Sequence, residues 1–399
     1  MSSARSFIAL ALGVSALAGC GQVAPGLASG SGTRSALAAA AMPGQLVVKL
    51  RPQVAVSGWM AAYGLKPVRK IEDLGALVVQ AADPTAALAR LGRDSAVVYA
   101  EPNYVARKFE ADARPFAGVF AADELLGQLW GMQKIGATRV WAGLPGDRKV
   151  TVAVVDTGID HTHPDFSGRV LKGRDVVNND DDAMDDEGHG THCAGTIAAG
   201  LGNGGVVGVA PNVTLLAVKV LAANGSGSYA GVAEGIVYAA NQGAPVISMS
   251  LGGSRPSKVL EDAVALAIRK GSLVVAAAGN DGSDEPNYPA AIKGVMAVSA
   301  TQREDRIAYF SNTGNHVSVS APGVSIMSTI PGGKYEALDG TSMACPHVSG
   351  LAALVKSKFP SANAATIRTR IEKSADDLGA KGFDPVFGHG RINVAKAVI

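Results

Sequence analysis

The first third of the chain alternates short segments with the periodicity of strands and of helices. The helix-like segments are VSGWMAAYGL (56–65) and DPTAALARLG (83–92), the second with Asp83 as its cap and Pro84 in its first turn. The strand-like segments are QLVVKL (45–50), ALVVQ (76–80) and AVVYAEPNYVA (96–106), with one more strand expected near PVRKIEDL (67–74). This order predicts a small β-α-β-β-α-β unit.

From about residue 123 onward, near-continuous runs of Val, Ala and Ile are separated by helical stretches. The runs are VTVAVVD (150–156), VTLLAVKVL (213–221), APVISMS (244–250), SLVVAAAGN (272–280) and GVMAVSA (294–300). Such runs, spaced by helices, indicate a parallel sheet that is buried on both faces. Functional groups collect at the carboxyl ends of strands in sheets of this kind. Asp156 ends the first strand and Asn280 follows the fourth, so both are candidates.

The composition limits the classes of partner. The chain has 399 residues, of which 47% are hydrophobic and 18% charged, which is enough for two domains with a sizeable core. Lys and Arg total 36 against 34 Asp and Glu, so the net charge is only +2. Because no basic block stands out, a nucleic-acid partner is not expected. We expect a monomer.

The N-terminus has the pattern of an export signal. An apolar run from Phe7 to Gly19 follows Arg5 and ends at Cys20, and it is too short to span a membrane comfortably. LAGC (17–20) resembles a bacterial lipoprotein box, which would lipidate Cys20 and provide the only membrane attachment. The alternative is an ordinary secretory signal that is cut later, near residues 37–39. Residues 21–42 are small and polar and are interpreted as a linker.

Three polar residues stand in glycine-rich turns beside these elements. Asp156 lies in VVDTGID, and His189 in GHGTHCAG at the start of a helical stretch. Ser342 lies in GTSMACPHVSGLAALVK, where Pro346 requires the helix to begin close by. A serine hydroxyl becomes a nucleophile when a base accepts its proton and an acid orients that base. His189 and Asp156 can supply both groups.

Other side chains near these motifs allow alternative interpretations. Cys345 lies about one turn beyond Ser342 but has no comparable support, so we expect it to pack as a small hydrophobe. A disulfide between Cys193 and Cys345 stays open. His192 follows His189 by three residues and could form a zinc pair with it. The remaining candidate ligands, which we interpret as loop residues, are His161 and His163.

Five motifs occur together and in order: VVDTGID, GHGTHCAG, SMSLGG, AAAGN and GTSMACPH. From about residue 123 to 399 the chain resembles the subtilase family of serine endopeptidases, and the thermitase branch most of all. The resemblance implies an α/β subtilisin-like fold with three α/β/α layers and a mainly parallel central sheet. It also implies that Ser342 is the nucleophile, His189 the general base and Asp156 the orienting acid. Asn280 and the Ser342 backbone N–H would stabilise the oxyanion.

The resemblance extends to the N-terminal unit, which is similar to a subtilase propeptide. Residues 43–108 would then form a small ferredoxin-like α+β prodomain that acts as chaperone and inhibitor. The segment 109–122 would be a linker with the maturation cut, and 123–399 the catalytic domain. Because YVARKFEADARPFAGVF (104–120) can thread a cleft as an extended peptide, we expect the first cut between about residues 105 and 125.

Substrate and metal residues are likewise implied by the resemblance. Two edge strands would sandwich an extended peptide and demand little of its sequence. Small pocket walls would favour a large apolar residue before the cleaved bond. The strand residues are Gly225, Ser226 and Gly227 on one side and Ser250, Leu251 and Gly252 on the other, and the pocket residues are Ala277, Gly279 and Asn287.

Structural calcium is the cofactor that the resemblance implies. One site would use Asp175, Asp180 and Asp182, with Met184 standing where a further ligand is usual. A second site would use Asp123, Asp165 and Asn203 with backbone carbonyls. Oxygen ligands of this kind suit calcium better than zinc. The alternative is a solvated acidic loop.

Two classes of function follow. The first is a secreted or envelope-anchored serine endopeptidase that is made as an inhibited precursor and cuts itself. The second is a catalytically silent protein on the same fold that binds peptides or partners. The second would be favoured if any of Asp156, His189, Asn280 or Ser342 were replaced, and all four are present.

Overall fold

The structure is a computed structural model, and it describes residues 41–109, 111, 125–203 and 205–399. The predicted signal peptide with Cys20, most of both linkers and Asp123 lie outside the described residues. No helix in the described ranges is long and apolar enough to cross a membrane.

The N-terminal unit has the predicted β-α-β-β-α-β order, and its four strands are antiparallel neighbours in the order β4-β1-β3-β2. This is the ferredoxin-like arrangement. Its strands are β1 (Ala41–Leu50), β2 (Lys66–Ile71), β3 (Ala76–Gln80) and β4 (Val97–Lys108), and its helices are α1 (Val56–Tyr63) and α2 (Pro84–Leu91). A 3₁₀ turn, Glu72–Leu74, precedes β3.

Local signals in the sequence account for the boundaries of this unit. The Asp83 carboxylate accepts a hydrogen bond of 2.9 Å from the Ala86 N–H, and Pro84 is the first residue of α2, as the sequence predicts. Strand β1 begins at Ala41, four residues before the predicted start at Gln45, since Ala41 pairs with Tyr104 ahead of a shift in register.

The C-terminal unit is built on seven parallel strands in the order β13-β12-β11-β9-β5-β7-β6. These strands are β5 (Thr151–Asp156), β6 (Val170–Asp175), β7 (Thr214–Lys219), β9 (Val246–Met249), β11 (Leu273–Ala277), β12 (Met296–Thr301) and β13 (Val317–Pro322). Two short strands, β8 (Ser226–Ser228) and β10 (Leu251–Gly252), and an antiparallel hairpin, β14 (Ile326–Ile330) with β15 (Lys334–Leu338), complete the strands described here.

Helices cover both faces of this sheet. The helices are α3 (Trp130–Lys134), α4 (His189–Ala198), α5 (Tyr229–Asn241), α6 (Lys258–Arg269), α7 (Thr341–Lys358), α8 (Ala364–Ser374) and α9 (Val394–Ala397). Strand β5 shows the layering, because Val152 and Val154 join the core under α4 and α7 while Ala153 and Val155 join the core under α5 and α6. Apolar side chains on both faces of a strand explain the continuous Val and Ala runs of the sequence.

The prodomain sheet packs on the catalytic unit through one of its faces. Val47 and Val78 belong to the same buried cluster as the residues of α5 and α6, whereas Val48 and Val79 face the prodomain's own helices. Two half-buried ion pairs lie at the border of this contact. They join Lys49 to Asp262 at 2.7 Å and Arg69 to Glu234 at 2.8 Å. The N-terminal unit therefore shares a hydrophobic core with the C-terminal unit.

Two prodomain side chains on β4 bind the N-terminal ends of catalytic helices. The Glu101 carboxylate accepts from the Ser257 hydroxyl at 2.8 Å and from the backbone N–H groups of Lys258 at 2.8 Å and Val259 at 3.1 Å. The Asn103 side-chain oxygen accepts from the Ala230 N–H at 3.1 Å. A carboxylate at a helix N-terminus satisfies free N–H groups and interacts favourably with the helix dipole.

We expect Glu101→Ala to reduce the free energy of the contact between the N-terminal and C-terminal units by about 1–3 kcal/mol, because three hydrogen-bond donors lose a charged acceptor. The comparison uses precursors that carry Ser342→Ala, so that the chain stays intact. The first unfolding transition in urea should move to lower concentration. Glu72→Ala is the control, because Glu72 is an exposed prodomain carboxylate that pairs with Lys70. Equal transitions in the two variants would contradict the capping role.

Candidate active site

A buried carboxylate and imidazole form the centre of the site. Asp156 is the last residue of β5, and its Oδ1 lies 2.8 Å from Nδ1 of His189, the first residue of α4. Both side chains are 1% exposed. Burial by itself would lower the pKa of His189, but the charge and hydrogen bond of Asp156 outweigh burial, and the pKa is raised. Asp156 thus favours the protonated imidazole.

The turn before α4 fixes the position of His189. The Asp185 carboxylate accepts from the Gly188 N–H at 2.9 Å and from the N–H and hydroxyl of Thr191 at 2.9 and 2.6 Å. Gly190 is required at its position, because a Cβ there would lie 2.1 Å from the Gly158 carbonyl oxygen. The loop after β5 and the start of α4 are thereby packed against each other.

Ser342 is the second residue of α7, as the placement of Pro346 predicts. Its hydroxyl donates to the Ser250 carbonyl at 2.9 Å. Pro346 has no N–H for the Ser342 carbonyl four residues earlier. That carbonyl accepts instead from the Ser250 hydroxyl at 2.9 Å and from the Cys193 thiol at 3.5 Å. The proline therefore ties the nucleophile turn to the strand beside it.

Besides Oδ2 of Asp156, two buried side-chain nitrogens of the site have no hydrogen-bond partner among the described residues. One is Nε2 of His189, and the other is Nδ2 of Asn280. The side-chain oxygen of Asn280 accepts from the N–H and hydroxyl of Thr341 at 2.9 and 2.8 Å, which fixes the orientation of the amide. Unpaired buried donors and acceptors are costly and uncommon, so these two atoms mark positions where a substrate or intermediate can bind.

Both cysteines beside the site are free and buried. Burial raises the pKa of Cys345 to about 11 and that of Cys193 well above its usual value. The Cys345 thiol lies against β9, 3.6 Å from the Met249 carbonyl. Two neutral thiols packed against backbone carbonyls act as small side chains, in agreement with the expectation for Cys345.

The histidines outside the pair have structural partners. His192 Nε2 lies 3.0 Å from the Ile326 carbonyl, and burial lowers the pKa of His192 to about 3. The one cluster of three candidate metal ligands in the described ranges joins Asp156, His189 and Cys193 and leaves His192 out, so the carbonyl contacts of His192 support a structural role for it. His163 is hydrogen-bonded to Lys334 O, and His161 pairs with Asp182.

The end of the prodomain occupies the groove between the two short strands. Residues 105–107 pair antiparallel with β8, and Arg107 and Lys108 pair antiparallel with β10. The Lys108 N–H donates to the Gly225 carbonyl at 3.0 Å, and the Phe109 N–H to the Ser250 carbonyl at 3.2 Å. Beyond Phe109, the Ala111 N–H donates to the Asp339 carbonyl at 3.0 Å. The chain thus places its own segment as a middle strand between the strands predicted to hold a substrate.

Phe109 lies beside both the pocket and the nucleophile. A Cβ on Gly252 would be 2.8 Å from Cζ of the Phe109 ring. A Cβ on Gly340 would be 2.8 Å from the Phe109 carbonyl oxygen and 3.2 Å from Nδ2 of Asn280. The Ser250 carbonyl accepts from both the Phe109 N–H and the Ser342 hydroxyl. The Phe109 carbonyl is therefore near the unpaired Asn280 amide and the Ser342 side chain.

The predicted pocket residues take different positions. Ala277 ends β11 and is fully buried in the main core. Gly279 has a φ of +114°, and a Cβ there would be 2.5 Å from Nδ2 of Asn287. Asn287 donates to the Asp281 carboxylate at 3.1 Å, so its amide braces the turn at Gly279.

The three carboxylates predicted to bind calcium in the acidic loop have partners within the chain, and Asp180 accepts from the Asp182 N–H at 3.0 Å. Asp175 accepts from the Val177 and Asn178 N–H groups, and Asp182 pairs with Lys172 at 2.8 Å and with His161 at 2.8 Å. The Lys172 hydrogen bond is the largest influence that lowers the pKa of Asp182. Side chains of the protein therefore neutralise part of the negative charge that calcium was predicted to neutralise.

The second predicted calcium site is described only in part. Asp165 is buried, and its carboxylate accepts from the Tyr335 hydroxyl at 2.8 Å and the Val206 N–H at 3.0 Å. Burial raises its pKa. Asn203 lies on the same turn, because a Cβ on Gly200 would be 3.0 Å from both the Asn203 amide nitrogen and the Asp165 carbonyl oxygen.

Sequence reasoning missed two residues that support the site. Lys219 is 1% exposed, and its ammonium donates to the carbonyls of Thr157 and Leu221 and pairs with Asp186 at 2.6 Å. A lysine inside the otherwise apolar run VTLLAVKVL is a visible signal for such a role. Thr341, which orients Asn280, has no signal of its own beyond its position next to Ser342.

Comparisons with known proteins agree with this geometry. The subtilase family model matches residues 147–390, and the model of the fervidolysin N-terminal prodomain matches residues 30–103. The thermophilic serine proteinase of Bacillus sp. strain AK1 is 45% identical over 322 residues, which cover 80% of this chain and 77% of that protein. Thermitase of Thermoactinomyces vulgaris is 47% identical over 270 residues, which cover 67% of this chain and 95% of thermitase.

A solved structure extends the likeness to the prodomain. Fervidolysin from Fervidobacterium pennivorans, described as a keratinolytic enzyme related to subtilisin, matches with a TM-score of 0.80 at 30% identity. The match covers 90% of this chain and 61% of the fervidolysin chain. Matches of this extent over both units show that the chain belongs to the subtilase family, as a serine endopeptidase preceded by an N-terminal prodomain of the fervidolysin type.

Proposed function

We propose that the enzyme hydrolyses peptide bonds with Ser342 as nucleophile, His189 as general base and Asp156 as the acid that orients His189. The observation that carries this assignment is the position of Phe109. Its carbonyl lies near the unpaired Asn280 amide, and its N–H donates to the same Ser250 carbonyl as the Ser342 hydroxyl. A substrate carbonyl in the same place would meet all the groups that acyl transfer requires.

In the proposed first step, the Ser342 hydroxyl turns from the Ser250 carbonyl to the unpaired Nε2 of His189 and gives up its proton there. The Ser342 oxygen attacks the carbonyl carbon. Asp156 stays ionised, holds the Nδ1–H and stabilises the imidazolium, in keeping with the raised pKa of His189. His189 then returns the proton to the leaving amine, and water releases the acyl group by the reverse sequence.

The negative charge on the carbonyl oxygen is stabilised by two donors. Nδ2 of Asn280 is held in place through Thr341, and the Ser342 backbone N–H lies at the start of α7. Because both donors are fixed before the reaction, they require little reorganisation. Loss of one such side-chain donor typically costs about 3–4 kcal/mol of transition-state stabilisation.

The proposed substrates are extended peptides with a large apolar residue before the cleaved bond. Phe109 supports this preference, because its ring packs against the backbone of Gly252. Two further features support binding through main-chain hydrogen bonds, with few restrictions on the substrate's other side chains. Ala106 is fully buried between the strands, and Arg107 is exposed.

We propose that the precursor cuts itself after Phe109. The Phe109 and Ala111 N–H groups are held on either side of this bond by Ser250 and Asp339. The wild-type chain should yield a fragment that starts at Glu110 and ends at Ile399, found by N-terminal sequencing and intact mass. Ser342→Ala should accumulate as precursor and should not react with a fluorophosphonate probe. Ser349→Ala, a buried serine on the same helix, is the control that should still process.

The outcomes separate the parts of this proposal. Processing of purified Ser342→Ala at the same bond would exclude self-cleavage by Ser342. A wild-type fragment that starts elsewhere would exclude Phe109 as the cleavage position while leaving the nucleophile assignment intact.

The same cultures test export. We propose that residues 1–20 direct the chain out of the cytoplasm and that the mature fragment, which lacks Cys20, is released. A precursor lipidated at Cys20 would stay with the membrane fraction in the Ser342→Ala culture. A precursor cut near residues 37–39 would be soluble.

We expect Cys345→Ala to retain most of the peptidase activity and to lose about 1 kcal/mol of stability. The thiol is fully buried, its pKa is about 11, and it touches the Met249 backbone and not the imidazole. Initial rates on a peptide substrate and a thermal melt measure both effects. A folded Cys345→Ala protein without activity would overturn the assignment of Ser342.

Structural calcium stays a proposal. The loop from residue 175 to 187 carries seven carboxylates, while its ion pairs reach Lys172, Arg174, Lys219 and the prodomain residue Lys108. Removal of Lys108 with the prodomain increases the uncompensated negative charge, which favours a bound cation. Excess chelator should lower the melting temperature of the mature enzyme, and added calcium should restore it by mass action. An unchanged melting temperature would rule out a stabilising calcium site.

A further inference from the structure

The residue before Phe109 makes a contact that main-chain pairing does not require. The ammonium of Lys108 forms an ion pair with Oε1 of Glu187, and the side chains are 23% and 15% exposed. Glu187 stands two residues before His189, and its second oxygen accepts from the His189 backbone N–H at 3.0 Å. One oxygen therefore anchors the carboxylate to the catalytic turn while the other faces the occupant of the cleft.

The neighbouring carboxylates are engaged elsewhere. Asp185 binds N–H groups of its own turn, and Asp186 pairs with Lys219. Glu336 lines the same part of the cleft without an ion pair to Lys108 among the described contacts. Glu187 is thus the carboxylate placed to receive a cation from the strand in the groove.

The contact is specific to one position of the bound strand. Successive side chains of a strand point to opposite faces, so Arg107 faces away from Glu187. Arg107 makes a long hydrogen bond of 3.4 Å to the Ser226 hydroxyl and no ion pair among the described contacts. A basic residue is therefore recognised where Lys108 stands and not one residue earlier.

We propose that Glu187 is a specificity-determining residue that selects Lys or Arg as the second residue before the cleaved bond. The preferred substrate is then a basic residue followed by a large apolar one, as in Lys108-Phe109. This inference rests on the proposed function and deepens it. A carboxylate that is partly buried and held by a backbone donor gives a stronger contact than an exposed pair.

The test uses two fluorogenic peptides of equal composition and charge. Both end in Phe before the leaving group, and they differ only in order, Ala-Gln-Lys-Phe against Ala-Lys-Gln-Phe. The processed wild-type enzyme should cleave the peptide with Lys next to Phe with a kcat/KM about tenfold higher. In Glu187→Gln the ratio should fall to within about twofold of one. Glu336→Gln, the same change on the same wall of the cleft, should keep the wild-type ratio.

Each result bears on one claim. A wild-type ratio near one, a ratio unchanged in Glu187→Gln, or an equal fall in Glu336→Gln would overturn the selective contact. If neither peptide nor casein is cleaved by the folded wild-type enzyme, the proposed function fails first.

A second measurement covers variants that do not mature. In the full chain, Glu187→Lys should slow the cut after Phe109, and Glu187→Lys combined with Lys108→Glu should be cut at least about threefold faster than Glu187→Lys alone. Both chains carry the same change beside His189, so the difference reports the restored pair. An equally slow double variant would overturn the proposal.

Discussion

The burial of charged side chains at the carboxyl ends of an open parallel sheet is the constraint on which this structure depends. Asp156 and Lys219 end neighbouring parallel strands and are almost fully buried. Taking a charge out of water costs several kcal/mol unless charges and hydrogen bonds compensate for it. His189 compensates for Asp156, and two carbonyls with Asp186 do so for Lys219. The loops that supply these groups are therefore held together before any substrate arrives.

The same edge explains why the precursor needs a strand in its groove. Strands β8 and β10 are short, lie on opposite sides of the cleft, and both pair with β4 through their backbone groups. Residues 105–108 pair with both and complete a six-stranded sheet that runs from the prodomain into the enzyme. An open edge of this kind binds an extended chain with little regard for sequence. Selectivity then has to come from contacts between side chains of the bound strand and the walls of the cleft. Near the nucleophile, Phe109 and Lys108 make such contacts, with Gly252 and Glu187.

Local patterns predicted much of this arrangement. Asp83 and Pro84 start α2 as their chemistry requires, and Asp156 ends β5 because the apolar run ends there. The spacing of Pro346 placed Ser342 at the start of a helix. These features depend on neighbours within a few residues, which a sequence displays directly.

Features that depend on distant partners were not predicted. The Ser342 hydroxyl contacts Ser250, 92 residues away, and the sequence contains no sign of that pairing. The segment 104–120 was expected to thread the cleft, but its register was not predicted, since strand register follows from long-range pairing. The acidic loop was interpreted as a calcium site or a solvated loop, and its sequence did not show that Lys172 pairs with Asp182 in the folded chain. The number of charges along a sequence does not show which basic side chains pair with which carboxylates in the folded protein.

The prodomain differs from a substrate in how it is held after the bond is cut. A peptide in the groove has strand pairing and a few side-chain contacts, all of which end near the cleaved bond. The prodomain adds a shared core through Val47 and Val78 and the cap that Glu101 places on α6. The proposed cut after Phe109 would change none of these remote contacts. Because the remote contacts would persist, the cleaved tail would keep a high effective concentration in the groove and would leave only when the prodomain itself unfolds or is digested. Inhibition thus follows from where the binding energy lies and does not require a tail that resists cleavage.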